Sequence, residues 1–371
     1  MRKQKIQFMY FYKNSDSPFL TLQNYLVLEK KKAGIDVIEK QKHRNRKIII
    51  YTVIYVVVLI SFTTYVLLDT FVIERGYQII DKNNNSFYDS VYEKKEDNSE
   101  DNASSESNES SVSNENTESA ENSGESSESD GISELCEENI AIRLNTYREN
   151  DTTIYVADIQ ISDIRYLKSA FAKNIYGKNV TASTSSIAES CNAQLAINGD
   201  FYGAQNDGYV IRNGTLYRGQ SRSDSQEDLV IYKDGSFEII KEGDITAEKL
   251  LEQGALQVYS FGPALIDEGE ISVTEGDEVG KAMASNPRTA IGMISPLHYV
   301  MVVADGRTAE STGLSLYELA EFMESLDVEI AYNLDGGGSS TMYYQGKVIN
   351  NPTTNGKRIS ERGVSDIVYI G

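Results

Sequence analysis

The run VEIAYNLDGGGSSTM at residues 328–342 joins an apolar, strand-like stretch to three consecutive glycines. Glycine adds no side chain to a core, and it loses more backbone entropy on folding than other residues do. Three glycines in a row therefore predict that another part of the molecule, or a ligand, comes close to this backbone. Taken alone, the triplet is equally compatible with a tight turn and a bulge.

Two other polar turns also end apolar runs. They are Asp305-Gly306-Arg307, after HYVMVVA at 298–304, and Asn198-Gly199-Asp200, after AQLAI at 193–197. An Asp or Asn at such a turn can simply cap the local backbone. The repetition of one pattern at three strand ends favours a single site, and we expect the three turns to lie together.

Short β-branched and aromatic runs alternate with Gly, Asn and Asp turns throughout residues 139–371. This spacing predicts a strand-rich sheet domain with flanking helices, of the α+β (mixed α/β) class. A helix is expected over 316–326, because Ser315 and Glu318 form a capping box and the apolar residues that follow share one face. A second, less clearly marked helix is expected around 183–191.

The order of strand 298–304, helix 316–326 and strand 328–334 favours a right-handed β-α-β crossover. In that topology the two strands form a parallel pair. Asp305 and Asp335 then lie at the same edge of the sheet, where open α/β sheets bind their ligands.

A transmembrane signal anchor is predicted at residues 48–68, because these 21 residues carry no charge and are rich in Ile, Val, Leu and Tyr. Residues 1–47 hold twelve Lys and Arg against four acids. The positive-inside rule makes this segment a cytoplasmic basic tail and places the rest of the chain outside the cell. The alternative, a cleavable signal peptide, has a shorter apolar region that closes in a small-residue cleavage site. The sequence thus predicts a single-pass protein of the cell membrane.

Residues 96–138 carry fifteen Asp and Glu and no Lys or Arg, among many Ser and Asn. Such a segment buries too little apolar surface to offset its chain entropy, and its charges repel one another. We expect residues 69–138 to be a disordered, extracellular, acidic linker that holds the folded domain 139–371 away from the membrane. That domain has 19 basic and 32 acidic residues, so nucleic acid is not an expected partner.

Two cysteines, Cys136 and Cys191, lie on the predicted outer side of the membrane. An extracellular pair can form a disulfide, but two cysteines give no framework pattern. Both a bridge and two free thiols are compatible with the sequence.

The predicted domain contains one histidine, His298, at the start of a strand. This excludes zinc sites built from several histidines, although a triad through His298 is formally open. Carboxylate chemistry is what the sequence favours. The catalytic candidates are Asp200, Asp305 and Asp335, since carboxyl groups with separated pKa values serve as general acid, base or nucleophile.

Three arginines, Arg288, Arg307 and Arg362, stand beside glycine or proline turns. A guanidinium group binds phosphate through a planar pair of donors, so arginines next to carboxylates suit a phosphodiester attached to a sugar. Each arginine could equally hold two loops together through an ion pair. The backbone amides of Gly336–Gly338 can add an anion-binding nest.

A divalent cation is a further hypothesis. Asp200, Asp335 and Asn198 carry the hard oxygen donors that Ca²⁺ and Mg²⁺ prefer. No other cofactor is indicated.

Seven motifs occur over most of residues 185–371. They are INGDFYG (197–203), NPRTAIGM (286–293), VVADGR (302–307), STGLSLYELAEFM (311–323), NLDGGGSSTMYYQG (333–346), NNPT (350–353) and ERGVSDIVYI (361–370). In their residues and in their order, these motifs resemble the phosphodiester glycosidase family, which includes enzymes that remove N-acetylglucosamine from phosphodiester-linked mannose as well as bacterial exopolysaccharide-related proteins.

The resemblance implies hydrolysis of a sugar-1-phosphodiester by a compact mixed α/β domain. Carried over motif by motif, it implies a pocket lined by Asn198, Gly199, Asp200, Arg288, Asp305, Arg307, Asp335, Gly336, Gly337, Gly338, Ser339, Ser340 and Arg362.

These observations predict a membrane-anchored extracellular hydrolase acting on glycosyl phosphodiesters of surface glycans or glycopolymers. The first alternative is a non-catalytic module that binds sugar-phosphate polymers during exopolysaccharide or cell-wall assembly. The second, a peptidoglycan or protein hydrolase, is disfavoured because the predicted domain lacks a Cys/His pair or metal-binding histidines.

Overall fold

The computed structural model describes residues 18–80, 133–277 and 285–371, and it divides into two units, residues 1–73 and 74–371. In the first unit, helix α1 covers Pro18–Phe71. It contains a window long and apolar enough to cross a membrane by length and composition, and the predicted span 48–68 falls within it. Because α1 begins at Pro18, much of the predicted basic tail is helical.

The second unit begins well before the predicted boundary at residue 139. Strands lie at both ends of the segment 69–138 that was predicted as a linker: β1 is Arg75–Ile79 and β2 is Ser133–Cys136. Residues 81–132, the main part of that predicted linker, lie outside the described residues. β2 lies at the end of the acidic run 96–138, whose composition predicted no strand, and β1 lies before that run.

Sheet I has eight strands. In spatial order they are β14 (Glu270–Ile271), β13 (Ala264–Asp267), β17 (Ile330–Asn333), β15 (Arg288–Ser295), β16 (His298–Ala304), β4 (Thr152–Ile161), β3 (Ile140–Glu149) and β2.

Two sheets of five strands complete the core. Sheet II runs β19 (Lys347–Val348), β18 (Met342–Tyr344), β7 (Leu195–Asn198), β20 (Asp366–Ile370) and β5 (Leu167–Phe171). Sheet III runs β11 (Phe237–Lys241), β10 (Glu227–Tyr232), β12 (Ala255–Tyr259), β8 (Val210–Arg212) and β9 (Thr215–Arg218). A separate two-stranded sheet pairs β1 with β6 (Ile175–Lys178).

The three sheets surround one central core, and each is buried on both faces. In β16, Tyr299, Met301 and Val303 point into this core, whereas Val300 and Val302 point the other way. This follows from the alternation of side chains along a strand. Strands buried on both faces read as continuous apolar runs, which explains HYVMVVA.

One helix covers the outer face of each sheet. Helix α4 (Leu316–Glu324) packs on sheet I, α2 (Thr184–Ser190) on sheet II and α3 (Ala247–Glu252) on sheet III. The predicted capping box of Ser315 and Glu318 is present at the start of α4. The predicted class, a strand-rich α+β domain with flanking helices, is confirmed.

The predicted parallel pair is wrong in one respect. Strands β16 and β17 are not neighbours, because β15 lies between them and pairs antiparallel with both. They therefore run in the same direction with an antiparallel strand inserted, and every described ladder in the protein is antiparallel. No local pattern in the sequence indicates that the β15–β16 hairpin leaves β17 on the far side of β15. Asp305 and Asp335 still follow strand ends at one edge.

Candidate active site

The edges of sheets I and II meet at the three polar turns. At the edge of sheet I, Arg288 at the start of β15 pairs with Ala304 at the end of β16, which is followed by Asp305. Strand β17 ends at Asn333 on the same edge, two residues before Asp335. The turn after β7 in sheet II supplies the third group.

Asn198 joins these two edges from a fully buried position. Its Nδ2 donates to the backbone oxygen of Asp335 at 2.6 Å, and its Oδ1 accepts from Thr289 Oγ1 at 2.9 Å and from the amide of Thr341 at 3.2 Å. Both ends of its amide are thus used by the protein. Asn198 therefore connects the turn of Asp335 to Thr289 and Thr341 through its side-chain amide.

Asp200 lies in a buried ion cluster together with two residues that sequence reasoning did not single out. Arg212, at the end of β8 in sheet III, donates Nη2 to Asp200 Oδ2 at 2.9 Å and Nε to Asp366 Oδ2 at 2.8 Å. Its guanidinium also lies over the ring of Tyr259 at 4.2 Å. Sheets II and III therefore meet at this cluster.

The two acids of the cluster differ in their hydrogen bonding. Asp200 also accepts from the amides of Tyr202 and Ser260, at 3.0 and 3.1 Å. Asp366 Oδ1 is buried without a hydrogen-bond partner among the described residues. Burial raises the pKa of Asp366 to about 7, against the opposing charge of Arg212 and with a further contribution from Asp200. Asp366 therefore retains a proton far more readily than an ordinary aspartate, although both acids accept hydrogen bonds from Arg212.

Gly199 is required between these acids. A Cβ atom there would lie 2.3 Å from Asp366 Oδ1, which no side chain tolerates. The carbonyl of Gly199 accepts the amide of Asp335 at 3.4 Å. The buried cluster is therefore connected to the turn of Asp335 through one residue of backbone.

Asp305 is also buried, and its carboxylate holds a loop. Its two oxygens accept from Asn350 Nδ2 at 3.1 Å, from the amide of Asn351 at 2.9 Å and from Asn351 Nδ2 at 3.0 Å. Tyr155 lies beside it, and burial, followed by the charge of Asp305, raises the pKa of that phenol to about 12. Asn350 in turn donates to the carbonyl of Ser340 at 3.0 Å.

Asp335 is the one predicted catalytic acid that reaches the surface. Its side chain is 14% exposed, and Oδ2 accepts from Arg362 Nη2 at 2.8 Å. Burial raises the pKa of Asp335, while Arg362 and Ser339 act in the opposite direction and the charge of Asp200 adds to the rise. The carboxylate is accessible and close to a cation, and its pKa is higher than that of an ordinary aspartate.

Arg362 and Arg307 flank the glycine turn. The Arg362 side chain is 39% exposed and donates Nε to Ser339 Oγ at 2.8 Å. Arg307, half-buried, donates to the Thr354 carbonyl at 2.6 Å and to Asn286 Oδ1 at 2.8 Å. Burial and the charge of Arg362 lower the pKa of Arg307, so the two cations repel each other.

Arg288 takes a different position. It is buried, with 3% of its surface exposed, and its Nε donates to the Leu314 carbonyl at 2.8 Å. The structure thus places two of the three predicted phosphate-binding arginines at the rim of the site and the third in its wall.

At each position of the glycine triplet, a side chain would come too close to a neighbouring atom. A Cβ at Gly336 would lie 2.8 Å from the Pro287 carbonyl, and one at Gly338 would lie 2.5 Å from Thr354 Oγ1. Gly337 has φ +62°, and a Cβ there would lie 3.0 Å from Arg307 Nη2. Its amide donates to the Pro287 carbonyl at 2.8 Å, so the proposed nest of three glycine amides is already occupied in part. The close approach predicted from the sequence is made by the protein itself.

The two serines of the motif are buried. Ser339 Oγ faces Arg362, whereas Ser340 Oγ has no hydrogen-bond partner among the described residues. For the cation hypothesis, no three His, Cys, Asp or Glu side chains converge within the described ranges. The oxygens of Asp200 and Asn198 already receive protein donors, so the predicted ligand set does not fit a divalent cation.

His298 and the cysteines lie apart from this site. His298 begins β16, at the end of that strand opposite to Asp305, and its Nε2 is 2.7 Å from Asp158 Oδ1. A triad through His298 and the three aspartates is therefore not formed. Cys136 and Cys191 are both free thiols in the structure.

Several residues around the site were not found by sequence reasoning, although most of them stand in the quoted motifs. They are Tyr155, Arg212, Asn286, Asn350, Asn351, Thr354 and Asp366. Arg212 has no local signal at all, because its partners come from β20 and from the turn after β7. Only the tertiary fold brings them together.

The family comparison covers the C-terminal half of the chain. Residues 191–371 match the model of the NAGPA phosphodiester glycosidase family. The human N-acetylglucosamine-1-phosphodiester alpha-N-acetylglucosaminidase is 30% identical over 191 residues, which cover 46% of this chain and 36% of that protein. The SPbeta prophage-derived uncharacterized protein YomE of Bacillus subtilis is 28% identical over 189 residues, which cover 50% of this chain and 29% of that protein. The chain thus spans about a third of the length of these curated relatives.

A solved structure supports the same fold. The catalytic domain of the zebrafish N-acetylglucosamine-1-phosphodiester alpha-N-acetylglucosaminidase, auto-inhibited by its pro-peptide, matches with a TM-score of 0.50 at 22% identity. The match covers 62% of this chain and 82% of that chain. This likeness shows the fold. The family model includes all three polar turns, and by that match residues 191–371 belong to the phosphodiester glycosidase family.

Proposed function

We propose that this protein hydrolyses glycosyl phosphodiesters, releasing a free sugar and a phosphomonoester. The family match supports this class of reaction. The single observation that carries the proposal is the pairing of one accessible carboxylate, Asp335, with the exposed guanidinium of Arg362. The proposal does not extend to the substrates named for the relatives, because the chain spans only part of those proteins.

Asp335 is the proposed general base. In this reaction the oxygen of a water molecule forms a bond to C1 of the sugar. The bond between C1 and the phosphate oxygen breaks, its electron pair leaves with the phosphate, and the proton of the water passes to Asp335. Asp200 and Asp305 are proposed as positioning residues, because their oxygens already accept several protein hydrogen bonds.

Arg362 and Arg307 are proposed to bind the phosphate. Two guanidinium groups that repel each other form a site where a phosphate relieves the repulsion. Arg362 Nη1 has no protein acceptor within the described ranges, which leaves a donor for the ligand.

The chemistry explains why one carboxylate is enough. Ordinary glycosidases use a pair of carboxyl groups, one of which protonates a poor leaving group. A phosphate monoester leaves as a weakly basic anion, so cationic stabilisation takes the place of the general acid. This matches a site with one accessible acid and two accessible arginines.

We also propose that the protein is a single-pass membrane protein with a cytoplasmic N-terminus, acting on surface glycans or glycopolymers. The length of α1 and the excess of Lys and Arg before residue 48 support this arrangement.

The proposal is tested with the full chain purified in detergent and a chromogenic sugar-1-phosphodiester. Asp335→Asn is expected to stay folded and to lower turnover about a hundred-fold or more, the scale for losing a general base. The matched control is Asp327→Asn, an exposed site with φ +58°, which asparagine accepts readily. Activity of Asp335→Asn equal to the parent per folded molecule would refute the role of Asp335. Tight binding of phosphorylated polymer without any turnover by the parent would instead support the binding module.

A further inference from the structure

Two large apolar side chains are exposed among residues 133–277 and 285–371. They are Phe201, which is 40% exposed, and Ile359, which is 52% exposed. Single exposed apolar residues are common on protein surfaces and by themselves need no explanation. Here both stand in loops of the candidate site, because Phe201 directly follows Asp200 and Ile359 lies shortly before Arg362. In this part of the chain, exposure of large apolar side chains is thus confined to the loops of the site.

The backbone around Phe201 is fixed by hydrogen bonds. Asp200 Oδ1 accepts the amide of Tyr202 at 3.0 Å, and the Phe201 carbonyl accepts the amide of Ala204 at 3.2 Å. Arg218 donates Nη1 to the Tyr202 carbonyl at 3.1 Å. The turn therefore has a defined shape, which buries the side chains of Asp200 and Tyr202 and leaves that of Phe201 at the surface.

Phe201 does not serve the apolar core. Its side chain belongs to none of the buried clusters, and its ring contacts no other aromatic ring within the described ranges. The neighbouring Tyr202 makes those contacts instead, since it stacks on Tyr176 at 5.4 Å and meets Phe171 edge-on at 5.4 Å. An exposed aromatic ring on a fixed turn suits ligand binding, because a rigid ring loses little conformational freedom when it is covered.

The location of Phe201 indicates which part of a substrate it meets. The carbonyl of Gly199 accepts the amide of Asp335 at 3.4 Å, so the turn of Phe201 lies next to the turn of Asp335. Asp335 is the proposed base and acts beside C1 of the sugar. Ile359 shares its loop with Arg362, on the side of the proposed phosphate site. Phe201 therefore belongs to the sugar side of the site.

We propose that Phe201 binds the sugar ring of the substrate by stacking, and that the substrate is a pyranosyl phosphodiester. This inference rests on the proposed function. A pyranose ring with equatorial hydroxyl groups presents a face of C–H groups, whose weakly positive hydrogens fit the negative face of an aromatic ring. An aromatic side chain beside a few polar groups is also the usual composition of a small-ligand site. Phe201 then selects the substrate and takes no part in proton transfer.

Binding in the Asp335→Asn background tests this role, because the substrate is then scarcely cleaved. The full chain in detergent is titrated calorimetrically with a chromogenic sugar-1-phosphodiester and with the matching phosphomonoester, which lacks the sugar. Phe201→Ala and Phe201→Leu should each weaken binding of the diester about ten-fold and change binding of the monoester less than about two-fold. Phe201→Tyr keeps the ring and should bind both ligands as Phe201 does.

A kinetic readout separates sugar binding from a structural role. Without the Asp335→Asn change, Phe201→Ala should raise KM about ten-fold with a smaller change in kcat, because the stacked ring is in place both before and during the reaction. Ile359→Ala removes the other exposed apolar side chain and is the matched control. It should leave the Kd of the diester within about two-fold of its original value.

Two results would overturn the inference. One is equal weakening of diester and monoester in Phe201→Ala, because the residue would then act on the phosphate or on the fold. The other is unchanged binding of the diester in that variant. A parent protein that cleaves no diester but binds it through Phe201 would contradict the proposed hydrolysis and support the stacking, so the two failures are distinguishable.

Discussion

Asp200 and Asp366 share one guanidinium, but they are not equivalent. Both oxygens of Asp200 accept hydrogen bonds from protein donors, whereas one oxygen of Asp366 accepts none within the described ranges. A cluster of one cation and two buried acids is electrically balanced when one acid keeps its proton. The hydrogen bonding assigns the charge to Asp200 and the proton to Asp366.

Paired amide substitutions test this difference. Asp200→Asn turns an NH₂ group toward the donors it must accept from, and we expect a loss of about 3 kcal/mol of unfolding free energy. Asp366→Asn can place its NH₂ where Oδ1 now lies without a partner, so we expect a loss of about 1 kcal/mol or less. Denaturant unfolding at neutral pH measures both, and equal losses would contradict the assignment.

The same pair predicts a pH dependence. The folded protein raises the pKa of Asp366 to about 7, so it binds a proton that the unfolded chain releases near its ordinary value. The contribution of Asp366 to stability is therefore fully present below about pH 4 and is lost as the pH rises toward 7. The difference in unfolding free energy between parent and Asp366→Asn should shrink over this range. A difference independent of pH would show that Asp366 is ionised throughout.

The arginines separate a phosphodiester site from a simple glycoside site. Lysine keeps the charge of Arg362 but loses the planar pair of donors, so Arg362→Lys should impair a sugar phosphodiester far more than the matching neutral aryl glycoside. The ratio of kcat/KM on the two substrates cancels folding defects. Arg358→Lys, an exposed change nearby, is the control. Because Arg288 is buried in the wall, Arg288→Lys should lower both activities equally.

At the scale of elements, the glycines and strand ends explain how the site is built. The capping box, the apolar strands and the close approach at the glycine triplet could be predicted because their causes are local in sequence. The insertion of β15 between β16 and β17 could not, since either side of the hairpin offers the same kind of strand edge. Arg212 was also beyond sequence reasoning, because both of its partners are distant along the chain.

Gly199 gives a test at this scale. A methyl group there would press on Asp366 and displace the carbonyl that accepts the amide of Asp335. We expect Gly199→Ala to lower the unfolding free energy by about 1–3 kcal/mol, the usual range for overpacking, and to lower turnover as well. Gly276→Ala is the control, because a Cβ there meets no atom within 4 Å. Equal stability of the two variants would contradict the account of this contact.

For the whole molecule, composition predicted the apolar span and the acidic segment, but not where the second unit begins. The acidic stretch contains β2 at its end, and β1 precedes it, so the domain boundary lies at Glu74 rather than at residue 139. Three sheets from distant parts of the chain then meet at one place. The accessible chemistry there is one carboxylate and two guanidinium groups.

In the proposed reaction, water attacks the sugar carbon while the phosphate leaves. The most direct measurement is hydrolysis of a sugar-1-phosphodiester by the full chain in water enriched in heavy oxygen, followed by mass spectrometry of both products. We expect the heavy oxygen in the released sugar and none in the phosphomonoester. Heavy oxygen in the phosphomonoester would show cleavage of the bond between phosphorus and oxygen, and would contradict the proposed roles of Asp335, Arg307 and Arg362.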